Sequence, residues 1–255
     1  MCGRFVVARA TAELVPLFGI DEAGDDLPGP SYNIAPTQRI GIVVDRPSHA
    51  ATIEVATSKD STADDTSAPV ARHLVAARWG LVPSYATSLA AGPTPFNARS
   101  EKLTTSGMYR RAFAARRAIV PADGFYERRR IGDRQSFYIH PADGSVLALA
   151  GLYEWWRVPG APDDDPARWL LSATIITRTP QGAMTAVHDR EPLYLRPDLW
   201  DEWLDPAARG DADLLGAVMA ASTDVAAALD LRPIGPAWGT TVPGQRRDDP
   251  GLIAS

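Results

Sequence analysis

Cysteine is almost absent: Cys2 is the only one in 255 residues, so no internal disulfide can form. One Cys and four scattered His (His49, His73, His140 and His188) offer no ligand pairs at finger spacing. No metal and no cofactor is therefore expected, and His49, His73 and His140 receive no functional role. Lysine is nearly as scarce, with Lys59 and Lys102 the only two among 26 basic side chains. Arginine carries the positive charge, which suits bidentate phosphate contacts but is also what a genomic base-composition bias leaves behind. No apolar run reaches the roughly 18 residues of a membrane span. The opening Met1-Cys2-Gly3-Arg4-Phe5 lacks the basic stretch and apolar core of a secretory signal. A reducing, cytoplasmic setting with no membrane partner is the expectation. A net charge of −5 argues against a globally basic nucleic-acid face, yet leaves room for a local basic groove.

What remains is an ordinary globular composition, 45% hydrophobic and 22% charged. Strands are expected at Arg4–Arg9, Arg39–Val44, His73–Leu81, Arg117–Pro121, Phe137–His140, Val146–Tyr153 and Leu170–Ile176. Helices are expected at Thr11–Phe18, capped by Thr11, and at Tyr109–Ala115, Pro197–Leu204 and Asp211–Leu229. Asp21–Ser31 and Pro159–Pro166 read as loops, and Tyr32–Thr37 as a turn. Residues 45–72 read as an inserted segment, with strand character at Ala51–Ala56 and a mobile loop at Ser58–Ser67. The tail from Arg232 to Ser255 reads as irregular. No repeat or linker divides the chain. The expectation is one α+β domain over residues 1–255, mostly antiparallel strands in a barrel-like sheet with a few peripheral helices.

Seven segments in order carry a resemblance. They are Met1-Cys2-Gly3-Arg4-Phe5, Tyr32-Asn33-Ile34-Ala35-Pro36-Thr37, Arg78-Trp79-Gly80-Leu81-Val82-Pro83 and Phe96-Asn97-Ala98-Arg99-Ser100-Glu101. Pro121-Ala122-Asp123-Gly124-Phe125-Tyr126-Glu127, Ala150-Gly151-Leu152-Tyr153-Glu154-Trp155 and His188-Asp189-Arg190-Glu191-Pro192 complete the set, and Arg247-Asp248-Asp249-Pro250 is a weaker eighth. Together they resemble the SOS response-associated peptidase (SRAP) family of abasic-site processing proteins. The resemblance implies covalent capture of abasic sites in single-stranded DNA during the damage response. It also implies a monomer found with the nucleoid when DNA is bound; contact with the replication machinery is left open. Two departures stand out: Arg128 occupies the place of the family's Trp after the GFYE segment, and residues 45–72 are inserted relative to many relatives.

The chemistry centres on Cys2. Aminopeptidase removal of Met1 ahead of a small residue leaves a free amine and a thiol on the same residue. An α-amine titrates near 7.7–8.0, so a useful fraction is neutral at pH 7. That amine can attack the aldehyde of a ring-opened abasic sugar, and the thiol can then close a thiazolidine. Glu127 and His188 are the acid–base candidates, and the resemblance places the family's catalytic Glu and His on them. Read alone, Glu127 is more readily a solvated loop carboxylate, and His188 a core or salt-bridged His; the resemblance is what turns both readings toward catalysis. Asn97 and Arg99 alternate, so an extended segment puts them on one face, with Asn97 available to the Cys2 adduct. Arg4, Arg99 and Arg190 could clamp phosphates, or form surface salt bridges. Asn33 either supports the loop near Cys2 or makes an Asx-turn. Trp79 either stacks on an unpaired base or sits in the core. Two rival functions stay open: a cysteine peptidase with Cys2 as nucleophile and His188 as base, and a reader of modified or single-stranded DNA without chemistry.

Overall fold

The alternating apolar residues of RIGIVV and HLVAARW belong to the longest hairpin of the molecule. In the computed structural model, which describes residues 3–47, 69–90, 92, 94–235 and 248–253, β4 (Arg39–Pro47) and β5 (Val70–Trp79) pair antiparallel from Arg39↔Arg78 to Pro47↔Val70. Both strands run further than the sequence suggests, so the two ends of the 45–72 segment are ladder rather than loop. Ala51–Ala56 and Ser58–Ser67 lie outside the described residues.

This hairpin sits in an eight-stranded sheet of order β12-β11-β10-β7-β4-β5-β2, with β6 attached to β11. Its other members are β2 (Glu22–Ala23), β6 (Asn97–Arg99), β7 (Arg117–Ala122), β10 (Leu147–Arg157), β11 (Trp169–Arg178) and β12 (Glu191–Pro192). A five-stranded sheet of order β13-β9-β8-β1-β3 faces it, built from β1 (Phe5–Val7), β3 (Ser31–Ile34), β8 (Gly124–Arg128), β9 (Ser136–Pro141) and β13 (Leu229–Ile234). Phe5, Phe125 and Ile139 from the smaller sheet meet Ile42, Val44, Leu149 and Ile175 from the larger in one core. The result is a single domain with barrel-like sheets.

Among the described residues, four helices cover the opposite face of the larger sheet. They are α1 (Thr11–Phe18), α2 (Arg110–Ala115), α3 (Trp200–Leu204) and α4 (Ala212–Ala227). Leu14, Phe113, Trp203 and Val218 pack there on Val43, Ile119, Ala150 and Ile176. Thr11 is the first helical residue of α1 rather than its cap; the cap is Ala10, whose N–H donates to Glu13 at 2.9 Å. No helix among the described residues is long and apolar enough to cross a membrane.

Three segments read as turn, loop or tail are strands. Tyr32–Ile34 lies in β3, with the turn following at Ala35–Gln38. Gly124–Arg128 is β8, central in the smaller sheet; a Cβ on Gly124 would stand 2.6 Å from both the Ile139 carbonyl and the Tyr138 ring, so only glycine fits. The tail begins as strand, since Leu229–Ile234 pairs with β9. Beyond it, Leu252 and Ile253 pack on Val6, Tyr126 and Tyr138.

Candidate functional site

Strand β1 runs antiparallel to β8, with Phe5 opposite Phe125 and the Tyr126 N–H donating to the Arg4 carbonyl at 2.9 Å. Alternation along β8 turns Phe125 and Glu127 toward the space between the sheets, and Tyr126 to the outer face. Glu127 is thereby 5% exposed. Burial pushes its carboxyl above the ordinary range.

His188 approaches from the other sheet. Its N–H donates to Met184 at 3.0 Å. The imidazole Nε2 stands 4.0 Å from Glu127 Oε2. At Nδ1, the Arg190 N–H arrives at 3.1 Å and Asp189 Oδ1 lies at 2.9 Å. Burial, first among several causes, pushes His188 down to about 4. The unliganded protein therefore carries a neutral imidazole at pH 7, against the expectation that His188 holds a transferable proton near neutrality. With Nδ1 accepting from the Arg190 N–H, the ring proton sits on Nε2, toward Glu127.

The three residues after His188 each face an opposite charge. Asp189 pairs with Arg130 in the β8–β9 hairpin, both more than half exposed. Arg190 forms a bidentate pair with Glu101 at 2.7 and 2.8 Å and donates to the Thr177 carbonyl at 2.8 Å. That pairing pulls Glu101 down to about 2. Glu191 meets Arg178 at 2.8 Å with both side chains fully buried. Arg178 also donates to the Met219 and Ser222 carbonyls of α4, so the base of the His188 segment is tied into the core.

Strand β6 lies parallel to β11, with Asn97 opposite Ile175 and Arg99 opposite Thr177. Asn97 is half-buried and Arg99 exposed, on the same face of β6 with buried Ala98 between them on the other. The contact of Arg190 with the Thr177 carbonyl brings it to this strip. Arg4 donates to Asn33 Oδ1 at 3.0 Å across the β1–β3 pair, so Asn33 braces an arginine from a strand rather than forming the turn. Cys2 lies outside the described residues.

Trp79 does not join the group. It is fully buried, edge-on to Phe5 and Phe96 with ring centroids 5.0 and 5.6 Å away, and its N–H donates to the Phe96 carbonyl at 2.8 Å. Of the two readings open for Trp79, stacking on a base or a place in the core, its full burial corrects the first and matches the second. Arg128, half-buried, reaches Ser136 Oγ at 3.4 Å along its own hairpin. Glu101, Asp189 and Arg130 are site residues that sequence reasoning missed as partners. Glu101 and Asp189 lay inside the quoted segments, while Arg130 carried no signal beyond its arginine-rich surroundings.

Between the two sheets a buried acid thus faces a neutral imidazole, with the first described strand alongside and arginines nearby. The chain belongs to the SOS response associated peptidase (SRAP) family, whose model matches residues 1–239. It is 33% identical over 212 residues to the abasic site processing protein YoaM of Bacillus subtilis, covering 81% of this chain and 80% of that one. It is 28% identical over 209 residues to the abasic site processing protein YedK of Escherichia coli, covering 80% and 79%. Among solved structures, a Bacteroides thetaiotaomicron protein shares the fold with a TM-score of 0.71 at 16% identity, over 96% of this chain and 97% of that one.

Proposed function

We propose that this protein captures abasic sites in single-stranded DNA by forming a covalent thiazolidine through Cys2 after removal of Met1. The observation that carries this reading is Glu127 and His188 facing each other at 4.0 Å beside the strand that follows Cys2. Cys2 is two residues from Arg4, whose carbonyl accepts from Tyr126, the neighbour of Glu127. The names of the relatives support the substrate class.

The steps balance as follows. Ring opening breaks the C1′–O4′ bond; O4′ takes a proton from His188, and the anomeric hydroxyl gives its own to solvent. The neutral Cys2 amine attacks the aldehyde carbon, and Glu127 takes the amine proton. Glu127 returns it to the former carbonyl oxygen, giving the carbinolamine, and then passes the second amine proton to the departing hydroxyl, which leaves as water and gives the imine. The thiol sulfur then adds to the imine carbon, and its proton ends on the ring nitrogen. Asn97 holds the adduct, and Arg4, Arg99 and Arg190 face the flanking phosphates. A carboxyl raised by burial suits both halves of the Glu127 shuttle, because it takes up a proton more readily than an ordinary carboxylate.

The test is an intact mass spectrum after incubation with abasic single-stranded DNA. The expected result is a protein lacking Met1 that gains the oligonucleotide mass. Cys2→Ser keeps the amine, so borohydride traps its imine, but the heat-stable adduct disappears. Heat-stable adduct at normal yield from Cys2→Ser, or from protein that retains Met1, would falsify the thiazolidine.

A further inference from the structure

His188 Nδ1 has two neighbours that cannot both bond it. The Arg190 N–H at 3.1 Å requires a lone pair on Nδ1; Asp189 Oδ1 at 2.9 Å requires a proton there. Which one wins depends on the charge left on Asp189, and Arg130 sets that charge. Arg130 takes the other carboxylate oxygen, Oδ2, and its backbone N–H donates to the Val187 carbonyl at 3.1 Å. The β8–β9 hairpin therefore grips the His188 segment on both sides of the imidazole. Arg130 and Asp189 side chains are 56% and 60% exposed, so a phosphate oxygen can reach the guanidinium, and exposed pairs of this kind exchange partners at little cost.

Among the described residues, the charged groups facing His188 are Glu127 from β8, Arg130 from the hairpin and Asp189 beside it. The Arg190 side chain is turned away to Glu101. Arg130 is the one cation of this set within reach of a phosphate.

We propose that Arg130 is a phosphate-responsive positioning residue: it holds Asp189 in the unliganded protein and, drawn onto a DNA phosphate, releases Asp189 to accept a hydrogen bond from a protonated His188. Backbone binding thereby loads the acid that the chemistry needs. One proton is taken from solvent when the phosphate docks, and the same proton passes to O4′ when the sugar ring opens. The neutral resting imidazole, which on its own is a poor acid at pH 7, becomes a safeguard: the acid is charged only with DNA in place. The inference rests on the single-stranded DNA reading above and names what in the substrate, the phosphate flanking the lesion, switches the site on.

The experiment is an NMR titration of the His188 ring carbons, using a single-stranded oligonucleotide without any abasic site, so that no covalent step intervenes. In the DNA-free protein, Arg130→Gln should raise the His188 midpoint by about one pH unit, the low end of the shift produced by a nearby charge. Arg130→Lys, which keeps the cation, should stay near wild type. Oligonucleotide should raise the wild-type midpoint by a similar amount and move Arg130→Gln much less. In Asp189→Asn neither the variant nor the oligonucleotide should raise it. A midpoint unmoved by Arg130→Gln, or oligonucleotide binding that perturbs Arg99 and Arg190 but not the His188 midpoint, overturns the switch while leaving abasic capture intact. An oligonucleotide that does not bind overturns both.

Discussion

Asp189 and Glu191 are two residues apart, and each faces an arginine, yet the two pairs behave as different devices. Arg178–Glu191 is fully buried, and Arg178 makes further bonds to α4 carbonyls. Arg130–Asp189 is more than half exposed on both sides. Between them Arg190–Glu101 is intermediate, with the arginine 11% and the glutamate 52% exposed. Along four residues the chain passes from an exchangeable contact to a fixed one, and His188 sits at the exchangeable end. A buried pair cannot be traded for a ligand without stranding a charge, whereas an exposed pair can. The difference teaches where substrate can act on the site and where it cannot.

The comparison breaks most visibly at its buried end. Glu191→Ala should destabilise the fold by about 3–5 kcal/mol in urea denaturation, because Arg178 is left charged and buried. A loss under about 1 kcal/mol would mean that water reaches Arg178 and the pair is not structural. Glu127→Gln comes next. It should slow adduct formation by at least about tenfold, since Gln cannot carry a proton. The same change should stabilise the protein, more at pH 8 than at pH 5. Folding raises the Glu127 carboxyl, so the wild type holds an ionised buried carboxylate at high pH, and its share of stability falls as pH rises. Equal thermal shifts at both pH values would place that carboxylate in water.

Sharper distinctions need smaller effects. Arg190→Gln should remove one phosphate contact, making the slope of log affinity against log salt less negative by about 0.7 on single-stranded DNA. An unchanged slope removes Arg190 from the phosphate contacts. His188, lowered from 6.5 to about 4, binds fewer protons folded than unfolded between those values. Stability should therefore decline as pH drops from 6.5 toward 4, and His188→Asn should flatten that decline in a pH series of melts. Smallest of all, Arg130→Gln should change stability by less than about 1 kcal/mol, as exposed pairs do. A larger loss would make the hairpin contact part of the framework.

How far the sequence could be read follows the same division between exposed and buried. Strands β4, β5, β10 and β11 were legible from β-branched and alternating residues, and α1 and α4 from helical spacing. Strands β3 and β8 were not. Both faces of β8 are covered, Phe125 and Glu127 by the opposing sheet and Tyr126 by the tail, so no polar face marks the period. A buried carboxylate in such a strand looks like a loop carboxylate until the fold closes over it. Asn97, Arg99, Glu127 and His188 were singled out through the family resemblance of the segments that hold them. Their partners were not, because Arg190–Glu101 and Arg130–Asp189 join residues 89 and 59 positions apart, and separation of that order leaves no trace in local pattern. Trp79 was placed on a strand correctly, but the face it takes depends on Phe5 and Phe96, which only the fold brings to it.

The pairing of Phe5 with Phe125 also has a schedule. Strand β1 is among the first parts of the chain to be made, and its neighbour β8 comes about 120 residues later. At 5–20 residues per second, roughly 6–24 s pass before that edge can be closed. During this interval β1 can pair with β3, made about 27 residues after it, but not with β8. The order of synthesis thus closes the smaller sheet in two stages: β1 has β3 available first, and gains β8, the strand that carries Glu127, only later.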